Sequence, residues 1–392
     1  MEPNTATQKS ETNVSLTQEQ ESSGVTTCAS ALPALFVRSL EVKQFRCFAQ
    51  QRITFEKQMT VIEGANGSGK TSLLEALHYL CYVRSFRTHL PKDLATFGSP
   101  TFYLAAELAI NTPEETLSRK ITIGFSGARR LVKIDQRAVN SYRDLMATFR
   151  VITITEDDLA LVQGGPDARR AFLDQASLLV EPTAIELLRE LREVAAQRNA
   201  LLHQPSFNES QYRIWSKQLY TKSGRVQEQR LAIIAALNHE LSLLNAHFDL
   251  APNTIGITYA PKKSCLDDDW EKVLHLMEGE RRLGRSLFGA HLDDLTITFN
   301  GVSAKHFASR GQQKLIVVLL KIAQMRSLVH TLGSAVFLLD DFLTDFDDQR
   351  ASTLVKLLSS LGQQCIFTSP QGGDRISTFL SEEKTGYIKL SL

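Results

Sequence analysis

The chain has 392 residues, 43% of them apolar, so it exceeds one ordinary domain and can bury a sizeable core. Its 44 Lys and Arg stand against 43 Asp and Glu, which excludes a global electrostatic pull on polyanions and leaves any nucleic-acid contact to local basic groups. Five scattered cysteines without a Cys-x-x-Cys pair argue against a disulfide framework or zinc site, and the lack of a long apolar run or signal-peptide pattern predicts a cytoplasmic protein with no membrane span.

Residues 1 to about 30 are rich in Thr, Ser, Gln, Glu and Asn and carry almost no large apolar side chains. They cannot bury enough surface to offset chain entropy, so a disordered tail is expected over 1–34. Leu35-Phe36-Val37 and Leu40-Glu41-Val42 read as a first strand, with 52–55 and 59–62 as two more separated by a turn. The last of these runs into Gly64-Ala65-Asn66-Gly67-Ser68-Gly69-Lys70-Thr71. Beyond it Leu73, Leu74, Leu77 and Leu80 recur at helical spacing, so the context is strand, loop, helix.

That pattern suits phosphate. The glycines let backbone N–H groups curl around phosphate oxygens, and the following helix N-terminus adds positive potential. Lys70 then reaches the β and γ phosphates, and the Thr71 hydroxyl takes a position on Mg²⁺.

Segments 102–110, 119–125 and 131–134 read as antiparallel strands, with Ser126-Gly127 as a turn. From Arg169 the character changes: 169–204 and 211–248 carry Leu, Ile and Ala at three- and four-residue spacing among many charges, which predicts long amphipathic helices in a compact insert. Strand-like pieces return at 254–259 and 295–299. The block Ser309-Arg310-Gly311-Gln312 then opens a helix expected over about 311–330, where a Ser and a Gly at the N-terminus make a second anion site. A final strand at 335–339 ends on Asp340 and Asp341. Asp340 is placed to hold Mg²⁺ and Asp341 to orient or deprotonate an attacking water.

The order of loop, signature and strand-end acids resembles the ABC-type ATPase heads, and more closely the RecF family of bacterial recombination mediators of the RecFOR pathway. The resemblance spans about residues 35–390. It is carried by Phe45-Arg46, the loop at 64–71, Arg84-Ser85-Phe86-Arg87-Thr88, Gly164-Gly165-Pro166 with Arg169-Arg170 and Phe172-Leu173-Asp174, and the run 197–202. His291 with Asp293-Asp294-Leu295, the signature block and Leu339-Asp340-Asp341 complete it. The sequence departs from the family at Cys47, where Asn is usual, at Ala290 and Leu292 around His291, and at Ala308 before the signature. Thr344-Asp345-Phe346-Asp347 only approximates the dimer-contact loop.

The resemblance implies an α/β fold: an ABC-type ATPase head with a mixed sheet and an inserted compact α-helical arm. The head would occupy 35–175 and 287–392, and the arm 176–286. It also implies an ATP-induced homodimer with two ATP molecules between the subunits, binding DNA at single-strand gaps and helping to load a recombinase with RecO and RecR. The setting would be DNA repair, replication restart and the SOS response. Hydrolysis would be weak, DNA-stimulated and used as a switch. Catalysis falls to Lys70 and Asp341, the metal to Thr71 and Asp340. ATP contacts fall to Gly64, Ala65, Asn66, Gly67, Ser68, Gly69, Lys70, Thr71 and Arg46, and to Ser309, Arg310, Gly311 and Gln312 from the opposing subunit.

Four local basic groups are candidates for DNA: Arg84, Arg87, His89 and Lys92; Arg129, Arg130 and Lys133; Arg169 and Arg170; and Arg281, Arg282 and Arg285. Two other classes share the loop. The ATPase of an ABC transporter has a much shorter distance from loop to signature, and an SMC-like chromosome-organising ATPase needs hundreds of coiled-coil residues.

Overall fold

The computed structural model describes residues 34–112, 114–127, 129–139, 141–247, 255–341, 346–370, 379 and 385–390. The expected tail, apart from Ala34, lies outside the described residues, as do Thr344 and Asp345 of the dimer-contact loop.

Strands β1 (Ala34–Phe45) and β2 (Phe48–Thr54) form a hairpin. With β4 (Thr101–Asn111), β5 (Thr116–Ser126), β6 (Arg129–Ile134) and β7 (Arg137–Ala138) they build an antiparallel sheet of order β2-β1-β4-β5-β6-β7. β4 alternates less than a half-solvated strand would, because Leu104, Ala105, Ala106, Leu108 and Ala109 are all buried.

The second sheet is parallel throughout. It takes β3 (Met59–Gly64), β8 (Val151–Ile154), β12 (Val336–Leu339), β13 (Cys365–Pro370) and β14 (Thr385–Leu390) in the order β14-β3-β13-β12-β8. All four residues of β8 and of β12 are buried, the continuous apolar reading that a doubly covered parallel strand requires. The expected mixed sheet is thus divided between separate sheets of a single sense. The strand expected to be final is followed by two more: β13 has only Cys365, Ile366 and Phe367 as an apolar run, and β14 is interrupted by a glycine. A small antiparallel sheet, β11-β10-β9, joins β9 (Ile255–Ala260), β10 (Asp294–Phe299) and β11 (Val302–Ser303).

Helix α1 (Lys70–Tyr82) packs against strands of both large sheets, and twelve of its thirteen residues are buried, all but Thr71. A helix so enclosed must pair the polar side chains it carries, Glu75 and His78 among them. After α2 (Tyr142–Thr148) and α3 (Ala160–Gln163) come the helices α4 (Pro166–Val180), α5 (Ala184–Leu202), α6 (Glu209–His247) and α7 (Met277–Leu283), the region expected to be helical. The chain returns through α8 (Ala304–Phe307), α9 (Arg310–Leu332) and α10 (Asp348–Ser360). Among the described residues, α9 alone is long and apolar enough to cross a membrane by composition, and it is largely buried against α6, α4 and β8.

The parallel register decides where the site lies. Leu339 stands level with Ile154 and Phe367, and Gly64 with Pro370, so the C-terminal ends of β3, β12 and β13 share one edge. In parallel α/β sheets that edge is where ligands bind.

Candidate nucleotide site

The loop from Gly64 to Thr71 leaves that edge and closes on itself, Ser68 N–H donating to the Ala65 carbonyl at 3.1 Å. Gly67 and Gly69 have φ of +87° and +94°, a left-handed backbone open to glycine at little cost. At Gly69 there is a second constraint: an added Cβ would lie 2.4 Å from the Phe48 ring and 2.7 Å from Cys47 Sγ. The turn between β1 and β2 therefore presses on the loop. At Gly64 an added Cβ would meet Ser68 Oγ at 2.3 Å.

Lys70 is buried, and its ammonium donates to the Gly64 carbonyl at 2.9 Å and the Ala65 carbonyl at 3.3 Å. The Ser68 hydroxyl is buried and has no hydrogen-bond partner among the described residues. A cradle of backbone N–H groups at a helix start, a buried ammonium held only by loop carbonyls and an orphaned hydroxyl is a donor set that fits a polyphosphate.

Across the edge, Thr71 Oγ1 donates to Asp340 Oδ1 at 2.9 Å, joining residues 269 apart in sequence. Thr368, at the end of β13, donates to the same oxygen at 2.9 Å and to Asp341 Oδ1 at 3.3 Å, while its Oγ1 accepts from the Asp341 N–H at 2.8 Å. Burial pushes the Asp340 carboxyl above the usual carboxylate range, against the Thr368 and Thr71 hydroxyls, which hold it down. A hydroxyl and a carboxylate hydrogen-bonded to each other in this way are a donor pair for a hard cation such as Mg²⁺. Asp341 sits at φ +44°, a strained position for a non-glycine residue at a strand end. Thr368 was missed by sequence reading; its signal is the run Cys365-Ile366-Phe367 ending on Thr368-Ser369, a second apolar strand that stops on hydroxyls.

The signature block stands apart. Ser309 caps α9 by accepting from the Gln312 N–H, and Gln312 Oε1 accepts from the Ser309 N–H at 2.7 Å, a reciprocal capping box. Arg310 pairs with Glu156 at 3.0 Å. Ser309, Arg310 and Gly311 are exposed, and among the described residues none of their hydrogen bonds or ion pairs reaches the phosphate loop.

Arg46, expected to contact nucleotide, donates from Nε and Nη2 to both oxygens of Glu75, at 2.8 and 2.6 Å, and from Nη1 to the Asp93 carbonyl. Of the basic candidates, Arg169 and Arg170 are committed inside the fold. Arg169 makes a two-pronged pair with Asp294 at 2.7 and 2.9 Å, and Arg170 donates to the Asp293 carbonyl and to Asp167. Arg84, His89 and Arg130 line one cleft of about 1310 Å³ together with Arg189 and Arg192 of α5, so two groups far apart in sequence face one space.

The family model of the RecF/RecN/SMC N-terminal domain matches residues 36–373. Among curated proteins the chain is similar to the DNA replication and repair protein RecF of Chloroherpeton thalassium, 32% identical over 79% of this chain and 88% of that one. It is 30% identical to the protein of the same name from a Synechococcus species, over 86% of this chain and 92% of the relative. Among solved structures it resembles the recombination mediator protein RecF-ATP in the RecFOR pathway, with a TM-score of 0.77 at 22% identity over 87% and 95% of the two chains. An Smc head from Pyrococcus furiosus follows at a TM-score of 0.52 and 14% identity, over 88% and 92%. At these identities the structural likenesses establish the fold alone. By the match over most of its length, the chain belongs to the RecF/RecN/SMC N-terminal domain family and, within it, to the RecF family.

Proposed function

We propose that the chain is an ATP-dependent DNA-binding protein of recombinational DNA repair and replication restart, acting in the cytoplasm as a head-to-head homodimer closed by two ATP molecules. The reading is carried by the division of the site: the phosphate loop, Thr71 and Asp340 converge, while Ser309, Arg310 and Gly311 stand exposed and, among the described residues, make no hydrogen bond or ion pair to the loop. A second copy of the chain suits that face. Phe307, 72% exposed and two residues before Ser309, offers it an apolar contact.

Bound ATP and Mg²⁺ would supply the phosphoanhydride and the cation that neutralises its phosphate charge. The chain's own groups divide the work. Lys70 exchanges two loop carbonyls for phosphate oxygens, Thr71 and Asp340 hold the cation, and Asp341 orients or deprotonates water. Ser309 and Gly311 meet the phosphate held by the partner subunit's Lys70. Asp341 is one methylene shorter than the Glu usual in transporter-type ATPases, which suits slow, DNA-stimulated hydrolysis that releases the dimer. DNA at single-strand gaps, and cooperation with RecO and RecR in loading a recombinase, follow from family membership. The division into head at 35–175 and 287–392 and arm at 176–286 belongs to the same proposal; its first boundary falls within α4.

Sedimentation with and without ATP, and with and without gapped duplex DNA, tests this. The expected outcome is a monomer without ATP, a dimer with it and DNA bound to the dimer. A monomer under every condition would sink the reading.

A further inference from the structure

The site described above leaves one buried carboxylate beside the phosphate loop without a role. Glu75 has no exposed surface and lies on α1 one turn beyond Thr71, on the same helix face. A charge so placed is tolerated only when paired and hydrogen-bonded. Glu75 draws its partners from two separate segments. Arg46, in the turn that joins β1 to β2, grips both oxygens. From the segment after α1, the Ser85 hydroxyl donates to Oε1 and Arg87 Nη1 stands 3.7 Å from Oε2. Two guanidinium groups against one carboxylate leave this cluster net positive.

Its place gives that charge a use. The residues after Arg46, Cys47 and Phe48, are those that crowd Gly69 of the phosphate loop. The cluster thus borders the phosphate loop. Ser85 and Thr88 carry the connection onward: the Ser85 hydroxyl also caps the N–H groups of Arg87 and Thr88.

We propose that Glu75 is a positioning residue of the nucleotide site. Its carboxylate holds Arg46 and Arg87 in the orientation in which they meet the phosphates of a nucleoside triphosphate, and it ties the 84–88 segment to the loop that binds them. The inference rests on the nucleotide reading of 64–71. A role confined to holding α1 in place would lower stability without coupling Glu75 to Arg46 in ligand affinity.

The test is a double-mutant cycle read by titration with a fluorescent ATP analogue, using the full chain as wild type, Glu75→Gln, Arg46→Gln and the double variant. Each single substitution is expected to weaken binding about tenfold, with the double variant within about threefold of either. Unchanged affinity in Glu75→Gln, or multiplied losses in the double variant, would overturn the proposal. Wild type and Lys70→Ala separate the two layers: no binding by wild type removes the nucleotide reading and this inference with it, whereas binding by wild type and none by Lys70→Ala leaves only Glu75 at stake. If Glu75→Gln does not fold, Ser85→Ala takes its place. Ser85 reaches the same carboxylate from a partly exposed position, and a loss of about two- to threefold that vanishes in the Arg46→Gln background is expected; persistence there overturns the proposal.

Discussion

The nucleotide edge and the helices α5 to α7, the proposed arm, both bury charge, and they do so differently. In the arm, Arg198 of α5 and Glu280 of α7 have no exposed surface and pair with each other. Tyr212, Ser216 and Ser286 satisfy the remaining donors and acceptors, and the Arg198 guanidinium lies 4.6 Å from the ring centres of both Tyr212 and Phe288. Around α6, Asp293 accepts from Gln227, Tyr259 and the Lys262 N–H, and Arg230 donates to Asp174 and the Ala290 carbonyl. At the nucleotide edge, the Glu75 cluster apart, Lys70 and Asp340 are held by neutral, exchangeable partners instead: loop carbonyls for Lys70, hydroxyls for Asp340. A charge matched inside the fold fastens it; a charge held by neutral groups is held for a ligand.

The largest effect should come from breaking a fastener. A buried pair adds little over an apolar isostere when complete but leaves an uncompensated charge when one partner is cut away. Glu280→Ala is expected to cost about 3–5 kcal/mol, read as the urea midpoint. A loss below about 1 kcal/mol would mean that water reaches Arg198 and that the arm is less dry than its geometry indicates.

At the nucleotide edge the same kind of substitution should spare the fold and remove function. Lys70→Ala is expected to lower ATP turnover at least about a hundredfold while shifting stability by less than about 1 kcal/mol. Asp340→Asn should likewise abolish turnover, and its stability effect has a definite sign. The folded-state carboxyl titrates above its unfolded value because of burial, so ionised Asp340 destabilises the fold at neutral pH, and the penalty fades as pH falls through the raised value. The neutral variant should therefore melt slightly higher than wild type at pH 7, with the gap closing in acid. Full turnover in either variant would refute the site.

A third test asks whether the head core is as dry as the arm. Burial, with Lys321 nearby, pushes the His78 imidazole down to about 3, and its Nδ1 lies 2.8 Å from Thr153 Oγ1. Below about pH 6.5 the unfolded chain takes up a proton that the folded chain refuses, so stability falls with acid by up to about 1.4 kcal/mol per pH unit until the folded value is reached. Between pH 7 and 4.5 wild type should lose about 2 kcal/mol more than His78→Gln. Parallel acid curves would show that His78 is protonated in the fold.

The two regions were unequally legible in the sequence. The phosphate loop announced itself because backbone geometry dictates glycines at fixed offsets, and α1 and α9 because apolar residues recur at helical spacing. Asp340 could be found because an apolar strand ended on it. Thr368 and Glu75 could not, since each acquires its role only when parallel pairing or a neighbouring turn brings distant groups alongside. The fasteners of the arm were hidden for the same reason: Arg198 and Glu280 look in sequence like solvated helix charges. Arg169 and Arg170, which sequence offered as possible DNA contacts, proved to belong with them.

The smallest effect concerns the charges the fold leaves outside. Arg84 and Arg130 are exposed and line one cleft, and Arg130 donates to the Val83 carbonyl at 3.0 Å. Neither is a fastener in the sense of Arg198, and among the described residues neither bonds to the phosphate loop. If the cleft takes a DNA backbone, each arginine neutralises about one phosphate, and replacing both with alanine should reduce the slope of log affinity against log salt by about two while leaving stability and ATP binding unchanged. An unchanged slope would assign both to the solvated surface and move the search to Arg129, Lys133 and Lys92. A slope reduced together with stability would instead make the cleft one more structural joint, and the contrast between matched and waiting charge would then hold at the nucleotide edge alone.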